Sequence, residues 1–437
     1  MKTQLSILLF FYFTFLFFSC KKKEDVPDPI PDLPKLESVT TVNGVIGGAK
    51  NTLVTINGTN FTSDLSKISV TVNGKICTIQ NASATTIVFQ IPPYCGRGAI
   101  IANINGTIIN GPMFEYVYTY TLTSVTNGVT GYLDGQLANS QWNQIQGVCV
   151  DTSNNIYVSS YTNPVVRKIT ADFTTVTTLA GNGVNGNVNA QGTNARLGTN
   201  DNISIDVNGT IFYADQNSNS VKKIDRLGNV TTFIQNPVVF PIAACVSKQG
   251  NVYVLSESGI AKYSSTGTFV WKVVSHGVGN LDGDSSVVKF NFITWGNPTI
   301  DDAEQNLYFA NSNQSSATPP CQIKKLNLQT LFTSSVAGSY TIGGAIDGPA
   351  NTATFNNING LAIDKFGGMY IAEWGHRIRY LLNGTVTTIV GAAGMGDVDG
   401  PAAVGKIRAP NGLAMNKQGD LIISSSGNNK VKRLIID

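Results

Sequence analysis

Residues 360–382 read GLAIDKFGGMYIAEWGHRIRYLL, and this stretch decides how most of the chain should fold. An apolar run closes at Asp364, a Gly-Gly turn follows, and a second apolar run occupies residues 369–372. Two such runs joined by a short glycine turn are typical of a β-hairpin. A third run, residues 377–382, combines basic and apolar side chains. The stretch therefore predicts three consecutive antiparallel strands.

The same pattern recurs along the chain. In each copy an acidic or polar residue closes the first run, and a large apolar residue follows six positions later. The closing residues are Asp151, Asp206, Ser247, Asp302, Asp364 and Asn416, spaced by 55, 41, 55, 62 and 52 residues. The spacing inside a unit is constant while the connections vary. With a fourth strand after the third, such units predict the blades of a β-propeller, which bury a core only when stacked.

The ends of the repeat region predict how the propeller closes. The last unit reaches Asp437 without a fourth strand, whereas a spare strand at residues 120–125 precedes the first unit. If this N-terminal strand pairs into the last blade, six blades form a ring without open sheet edges. Residues 119–437 are therefore predicted to be a six-bladed propeller.

Residues 360–379 also resemble an NHL repeat. Asn219, His376 and Asn429 lie near the positions of the Asn-His pair that gives this motif its name. The resemblance covers residues 119–437 and is strong in blades one, two, five and six, whereas blades three and four are degenerate.

Residues 35–118 have a different organisation. Alternating apolar runs are separated by Asn-Gly turns, which predicts an all-β immunoglobulin-like sandwich. Residues 54–61, which end in a Gly-Thr-Asn-Phe turn, closely resemble an IPT/TIG domain, and this resemblance implies a spacer or a protein-contact module. Cys77 and Cys95 lie in this domain, and they could either form a disulfide or remain two thiols.

The N-terminal residues predict export. The apolar run at residues 5–18 is too short to span a bilayer as a helix, which favours a secretory signal over residues 1–19. The Ser-Cys pair that follows resembles a lipobox, which implies acylation of Cys20. Residues 20–34 would form a proline-rich tether, and its KKKED start looks like the export tag of Bacteroidetes surface lipoproteins. The alternative is an ordinary signal peptide with an incidental cysteine.

As a whole, the chain resembles Bacteroidetes surface lipoproteins in which an IPT/TIG domain precedes an NHL-repeat propeller. The resemblance implies an outer-membrane lipoprotein facing the cell exterior, anchored through lipid, with an outer-membrane uptake complex as a partner. Charged residues make up 13% of the sequence and the formal net charge is +3. Because nucleic-acid binding needs a concentrated basic face, nucleic acid is not an expected partner.

The long connections between blades predict where a ligand binds. Strand order places them on one side of the propeller, here called the long-loop face, and loops held by a scaffold commonly carry binding sites. Aromatic, carboxylate and amide groups at the channel mouth of this face would suit an extracellular glycan, which offers C–H faces and hydroxyl edges. The candidate ligand-binding residues are Trp142, Tyr161, Asp215, Trp295, Asn311, Glu373, Trp374, His376 and Arg377. The alternative for the tryptophans is packing between blades.

Catalysis and protein contact are the alternatives to glycan binding. Asp215, Asn311 and Glu373 stand at equivalent positions and could hold a divalent ion, as in a lactonase-like hydrolase. Two histidines are too few for a zinc lyase, and no nucleophile motif occurs. The sequence thus favours a binding protein without catalytic residues or a cofactor. Calcium remains an alternative at the Asp-Gly pairs of the long loops, which begin at Asp134, Asp282, Asp347 and Asp399.

Overall fold

The structure is a computed structural model that describes residues 32–200, 202–235, 240–291, 297–312 and 320–437. Across this described part the secondary structure is β-strand, with short 3₁₀ turns at Leu65–Lys67, Leu137–Asn139, Gly192–Asn194 and Ser426–Asn428. The expected all-β class is confirmed. Among the same residues, no helix has the length and apolar character needed to span a bilayer. Cys20 and Trp295 lie outside the described residues.

The first domain is a two-sheet sandwich. Its strands are β1 (Lys35–Thr41), β2 (Gly47–Gly48), β3 (Leu53–Thr59), β4 (Ile68–Val72), β5 (Lys75–Ile76), β6 (Thr78–Ala82), β7 (Thr86–Gln90), β8 (Gly98–Ile104) and β9 (Thr107–Tyr116). One sheet has the order β1-β3-β7-β6 and the other β2-β9-β8-β4-β5. Alternate residues, such as Val54 and Ile56 on β3 and Val70 and Val72 on β4, are fully buried between the sheets. The period-two pattern of the sequence is therefore the pattern of a sandwich core.

Cys77 and Cys95 are separate thiols in this core, which is the second of the two alternatives that the sequence left open. Both side chains are buried among apolar residues of the sandwich, where they pack as small hydrophobic groups. Burial raises the pKa of Cys77 to about 12 and that of Cys95 to about 11. Neither thiol is poised to react at neutral pH.

The remaining strands form a propeller. Strand β10 (Tyr120–Ser124) comes first. Blade one contains β11 (Gly135–Gln136), β12 (Ile145–Val150), β13 (Ile156–Ser160), β14 (Val165–Ile169) and β15 (Thr175–Ala180). Blade two contains β16 (Ile203–Ile205), β17 (Ile211–Asp215), β18 (Ser220–Ile224) and β19 (Val230–Gln235). Blade three contains β20 (Pro241–Val246), β21 (Val252–Ser256), β22 (Gly259–Tyr263) and β23 (Phe269–Val274).

Blades four to six continue the same plan. Blade four contains β24 (Thr299–Ile300), β25 (Asn306–Ser312), β26 (Pro320–Asn327) and β27 (Thr333–Gly338). Blade five contains β28 (Gly348–Pro349), β30 (Ile358–Ile363), β31 (Met369–Glu373), β32 (Arg377–Leu382) and β33 (Thr385–Val390), and β29 (Phe355–Asn356) pairs with β26. Blade six contains β34 (Gly400–Pro401), β35 (Pro410–Met415), β36 (Leu421–Ser425) and β37 (Lys430–Ile436).

The N-terminal strand closes the ring as expected. Strand β10 pairs antiparallel with β37, so that Tyr120 lies opposite Ile436 and Ser124 opposite Lys432. Leu122, in the middle of β10, is fully buried in a core shared by blades five and six. The last blade is thus completed by a strand from the other end of the repeat region, and the outer edge of β37 is paired.

The recurring acid of the repeat caps the turn between the first and second strands of a blade. Asp151 Oδ1 accepts hydrogen bonds of 2.8 and 2.9 Å from two backbone N–H groups of that turn, and Asp364 Oδ1 does the same at 2.8 and 2.9 Å. In blade four this role belongs to Asp301, not Asp302, because the turn there is one residue longer. These turns define the short-turn face, opposite the long-loop face.

Buried cations hold the long loops against their blades. A basic residue on the third strand is fully buried in five blades: Arg167, Lys222, Lys324, Arg379 and Lys432. Four of them pair with the Asp-Gly segment of the loop that enters the same blade, as in Arg167–Asp134 at 2.6 Å and Arg379–Asp347 at 2.6 Å. In blade two, Lys222 contacts loop asparagines instead. The Asp-Gly carboxylates therefore pair with cations of the protein itself, which removes the reason to expect calcium there.

Blade three supports this explanation of the buried cation. Ala261 stands where the other blades carry the cation, and the connection from β19 to β20 is short. The cation is thus absent from the blade that has no long loop to hold. In blades one, five and six the loop also adds a short strand to the outer edge of the blade. In blade one, for example, Gly135 of this strand pairs with Val176. Two residues of each of these three loops therefore lie along a blade edge.

The sandwich contacts the short-turn face of blades five and six. Tyr94 Oη donates a 3.1 Å hydrogen bond to Asp420 Oδ1, at the end of the blade-six turn. The rings of Tyr118 and Phe366 lie 6.2 Å apart, with Phe366 in the blade-five turn. An ion pair of 2.6 Å joins Lys50 to Asp437. The first domain therefore sits beside the channel opening on this face.

Candidate functional site

Three of the predicted site residues organise the start of their own blade. Asp215 and Glu373 each end a second strand, Asn311 is the penultimate residue of one, and all three are at most 1% exposed. Each side-chain oxygen accepts a hydrogen bond from a backbone N–H just before the first strand, at 2.8, 2.7 and 3.0 Å respectively. Buried N–H groups need such partners. The expectation that these three side chains present polar groups to a ligand at the channel mouth is therefore wrong.

Glu373 is also part of a buried ion pair. Arg379 Nη1 lies 3.1 Å from Glu373 Oε2, and both side chains are almost completely buried. Burial raises the pKa of Glu373, and the nearby Arg379 guanidinium opposes part of that effect. The carboxyl group acts inside blade five, not on a ligand.

The alternative of a metal centre at Asp215, Asn311 and Glu373 is corrected for the same reason. Their oxygens are directed to the backbone of three separate blades, so they do not converge on one ion. Among the residues that the structure describes, no group of three or more His, Cys, Asp or Glu side chains is placed to hold a metal.

Trp142 belongs to the core and does not line the channel mouth. It is 1% exposed, and its Nε1 donates a 2.8 Å hydrogen bond to Ser140 Oγ. The Arg167 guanidinium carbon lies 4.2 Å from the centroid of its ring. This side chain therefore packs in blade one against the loop-holding cation, which corrects its assignment as a ligand-binding residue.

A partly exposed group remains on the long-loop face, in which Trp374 and Arg408 are exposed and His376 and Arg377 are half-buried. It consists of Trp374, His376, Arg377 and Arg408, and is called the indole patch below. Trp374 is 43% exposed, directly after β31. His376 adopts a left-handed backbone conformation (φ 71°), and its Nδ1 accepts a 3.0 Å hydrogen bond from the Ala409 N–H. This bond joins His376 of blade five to the start of the first strand of blade six.

The indole patch is cationic. Partial burial, together with the positive charges of Arg408 and Arg377, lowers the pKa of His376 below its usual 6.5. The imidazole is therefore neutral at neutral pH, and the two guanidinium groups carry the charge of the patch. Tyr161 occupies the position of Trp374 in blade one, where it is half-buried and its N–H donates to Gln144 O at 3.0 Å. It belongs to a different blade from the patch.

A cavity at the opposite end of the channel was not anticipated. This short-turn cavity has a volume of about 270 Å³. The first strands and adjoining turns of all six blades line it, through residues 148–150, 202–205, 245–248, 297–302, 361–363 and 413–415 with Glu304. Beside it, a junction pocket of about 230 Å³ lies between the two domains. Its wall includes Tyr94, Tyr118, Lys365, Phe366 and Lys417.

One sequence signal could have pointed to two residues of the cavity wall, Asn202 and Asn297. An amide side chain recurs four or five positions before the turn-capping acid or its equivalent, at Gln146, Asn202, Asn297, Asn359 and Asn411. All five are buried near the start of a first strand. The varying offset follows from bulges between the first and second strands of blades one, five and six. A bulge adds a residue and shifts the register, so the recurrence is hidden in the sequence.

Comparison with known proteins supports the two parts of the fold to different degrees. Residues 34–120 match the family model of the IPT/TIG domain, which confirms the resemblance for the first domain. No protein with a curated description matches the chain.

Solved structures from Bacteroides share the fold over nearly the whole chain. A protein of unknown function from Bacteroides thetaiotaomicron VPI-5482 has 17% identity and a TM-score of 0.68, covering 93% of this chain and 98% of its own. Proteins described as auxiliary nutrient binding proteins, from Bacteroides ovatus ATCC 8483 and Bacteroides thetaiotaomicron VPI-5482, are each 16% identical with TM-scores of 0.56 and 0.54. Their coverage is likewise 93% of this chain and 98% of theirs. At these identities the similarity concerns the fold alone.

Proposed function

We propose that this protein is a cell-surface lipoprotein that captures an extracellular nutrient glycan at the indole patch. The observation that carries the proposal is the exposure of Trp374: it is 43% exposed, whereas Trp142, Asp215, Asn311 and Glu373 are buried. An exposed indole on a rigid scaffold offers a flat apolar surface to the C–H face of a sugar ring.

The charge of the indole patch narrows the class of glycan. Arg377 and Arg408 lie close enough to His376 to lower its pKa. The nearby Glu373 carboxylate is paired with Arg379 and buried beneath the surface. Guanidinium groups bind carboxylates and sulfates through paired N–H donors. The patch therefore suits a glycan with acidic groups, such as a polyuronate.

The surface location rests on the N-terminal sequence and on the comparisons. Acylation at Cys20 would anchor the protein in the outer membrane, and the KKKED segment would direct it to the outer face. Two proteins of the same fold are described as auxiliary nutrient binding proteins, which supports the same role here. We propose an outer-membrane uptake complex as a partner in this role.

A binding assay tests the proposal. Purified residues 35–437 are titrated with polygalacturonate, alginate and neutral dextran, with and without calcium or EDTA. We expect an acidic polysaccharide to bind independently of calcium. Trp374→Ala and Arg377→Ala should each weaken binding about tenfold, because each removes one face of the contact.

Phe332→Ala is the matched control. Phe332 is an exposed aromatic residue outside the indole patch, so its loss should leave the affinity unchanged. The proposal fails if no polysaccharide binds, or if the Trp374 and Arg377 variants bind as tightly as the parent protein.

A further inference from the structure

We infer that the short-turn cavity and the junction pocket together form a second binding site, whose ligand is a neutral sugar or another small polyol. The two spaces share wall residues, namely Asp302, Ile363 and Met415. The two spaces therefore adjoin, one at the channel axis and the other between the domains. Their combined volume falls within the ~300–1,000 Å³ of ordinary small-molecule sites.

Unpartnered oxygen atoms in the cavity indicate that its ligand must supply hydrogen-bond donors. Asn202 Oδ1, Asn297 Oδ1 and Ser247 Oγ are buried, and none has a hydrogen-bond partner among the residues that the structure describes. All three residues line the cavity and are at most 6% exposed. A buried acceptor without a donor destabilises a fold, so such atoms are usually paired. Amide oxygens accept hydrogen bonds only, and a ligand with several hydroxyl donors would satisfy all three.

The rim of the cavity favours an uncharged ligand. Asp302 forms a 2.8 Å ion pair with Lys248, and Asp301 caps its own turn. Glu304 accepts a hydrogen bond from the Gln249 N–H at 3.3 Å. The carboxylates are therefore engaged by the protein, and three lysines accompany four carboxylates across the cavity and the junction pocket together. A charged ligand would gain little here, unlike at the indole patch.

The junction pocket supplies the apolar part of the site. Tyr94, Tyr118 and Phe366 are half-buried in its wall, where they can contact the C–H face of a sugar. Lys365 Nζ lies 5.2 Å from the centroid of the Tyr94 ring and 5.0 Å from that of Phe366, which holds the two rings in place. Two of the rings come from the sandwich and one from the propeller, so both domains build the site.

The inference predicts opposite effects on binding and on stability. Asn297→Leu replaces a buried unpartnered amide by an apolar group of similar size, so the melting temperature should rise. The same change removes a ligand contact, so the affinity for a neutral sugar should fall about five- to twentyfold. Ser247→Ala should act in the same direction. The full folded protein is titrated with glucose, galactose and xylose by saturation-transfer NMR, with glucuronate as the charged probe.

Two control variants make the outcome decisive. Thr333→Val also removes a buried unpartnered hydroxyl, but on outer strand β27 away from the cavity, so it should leave sugar binding unchanged. Trp374→Ala should leave it unchanged as well, which separates this site from the indole patch. If no neutral sugar binds, or if Asn297→Leu and Ser247→Ala bind it as tightly as the parent, the cavity holds only water and the inference is wrong. Ser247→Ala decides the matter if Asn297→Leu fails to fold.

Discussion

Arg379 illustrates how a single buried side chain connects several parts of a blade. Its guanidinium contacts Glu373 at 3.1 Å and Asp347 at 2.6 Å. It also donates to the carbonyl oxygens of Ile346 and Thr354, at 3.0 and 3.2 Å. One residue thus joins the second strand, the third strand and the entering loop of blade five. The five donors of arginine in a fixed plane make this arrangement possible.

The first prediction concerns this residue. Arg379→Leu leaves the Glu373 carboxyl buried without its partner, so we expect the free energy of unfolding to fall by about 3–5 kcal/mol. Arg377→Leu, two positions away and partly exposed, should cost no more than about 0.5 kcal/mol. Urea denaturation measures both. Adding Glu373→Leu to Arg379→Leu should recover part of the lost stability. If Arg379→Leu and Arg377→Leu lowered the free energy of unfolding equally, the structural role of Arg379 would be contradicted.

At the scale of structural elements, the long loops are attached to their blades by a contact that recurs from blade to blade. In four blades a loop carboxylate pairs with a fully buried third-strand cation. The pKa values of Asp282, Asp397 and Asp399 are lowered: burial alone would raise them, but hydrogen bonds from Lys324, Lys430, Lys432 and nearby N–H groups outweigh it. The loops are thus attached by ion pairs that depend on ionised carboxylates.

The second prediction follows from these lowered pKa values. A carboxyl group with a folded pKa below its ordinary 3.8 contributes stability that is complete above 3.8 and is lost as the pH falls through the folded value. We therefore expect the free energy of unfolding to drop below a pH of about 4, as measured by denaturant midpoints across a pH series.

A pair of lysine variants checks the origin of this pH dependence. Lys432→Met removes the buried partner of Asp397 and Asp399, so it should reduce the acid-dependent loss. Lys248→Met breaks the exposed pair with Asp302 and should leave the pH profile unchanged. Identical profiles for Lys432→Met and the parent would exclude these carboxylates as the cause.

At the scale of the whole molecule, two long-range contacts decide the shape. Strand β10 closes blade six, and the sandwich contacts blades five and six through Tyr94 and Tyr118. The immunoglobulin-like domain thus forms one wall of the junction pocket. The indole patch and the short-turn cavity with its junction pocket are thus two chemically distinct surfaces at opposite ends of one channel.

The third prediction concerns attachment to the cell. Acylated Cys20 should place the protein in the outer-membrane fraction, since each buried CH₂ of an acyl chain contributes ~0.8 kcal/mol. Cys20→Ala should abolish labelling by radioactive palmitate and release the protein from the membrane. Replacing KKKED by alanines should preserve labelling but reduce cleavage by external protease. Retention of Cys20→Ala in the membrane would contradict lipid anchoring.

Several features of the fold could be predicted because their signals are local. The turn acids, the alternating runs and the spare strand at residues 120–125 are each readable within one short segment. The exception is Asp302, where one extra residue in the turn transfers the capping role to Asp301. Periodicity alone does not distinguish two adjacent acids.

The site was less predictable because burial is set by distant segments. Sequence places Glu373 correctly at the end of a second strand, but its partners Asn356 and Arg379 reach it only when the blade assembles. Trp142 is likewise at the entry of a first strand, yet Arg167 lies over its ring. The residue type and its position in the strand therefore indicated where Glu373 and Trp142 lie in the blade. They did not indicate which groups the two side chains contact.

The sequence by itself determined the all-β class, the sandwich, the number of blades and the closing strand, because alternation, turn residues and repeat spacing act over a few residues at a time. The tertiary structure alone decided which polar groups are buried and which are exposed. Loop acids and third-strand cations are 32 to 42 residues apart in the chain when they pair. The short-turn cavity needs one strand from each of six blades. Such features depend on contacts between distant segments: the ion pairs exist only once a blade has assembled, and the cavity only once the ring has closed.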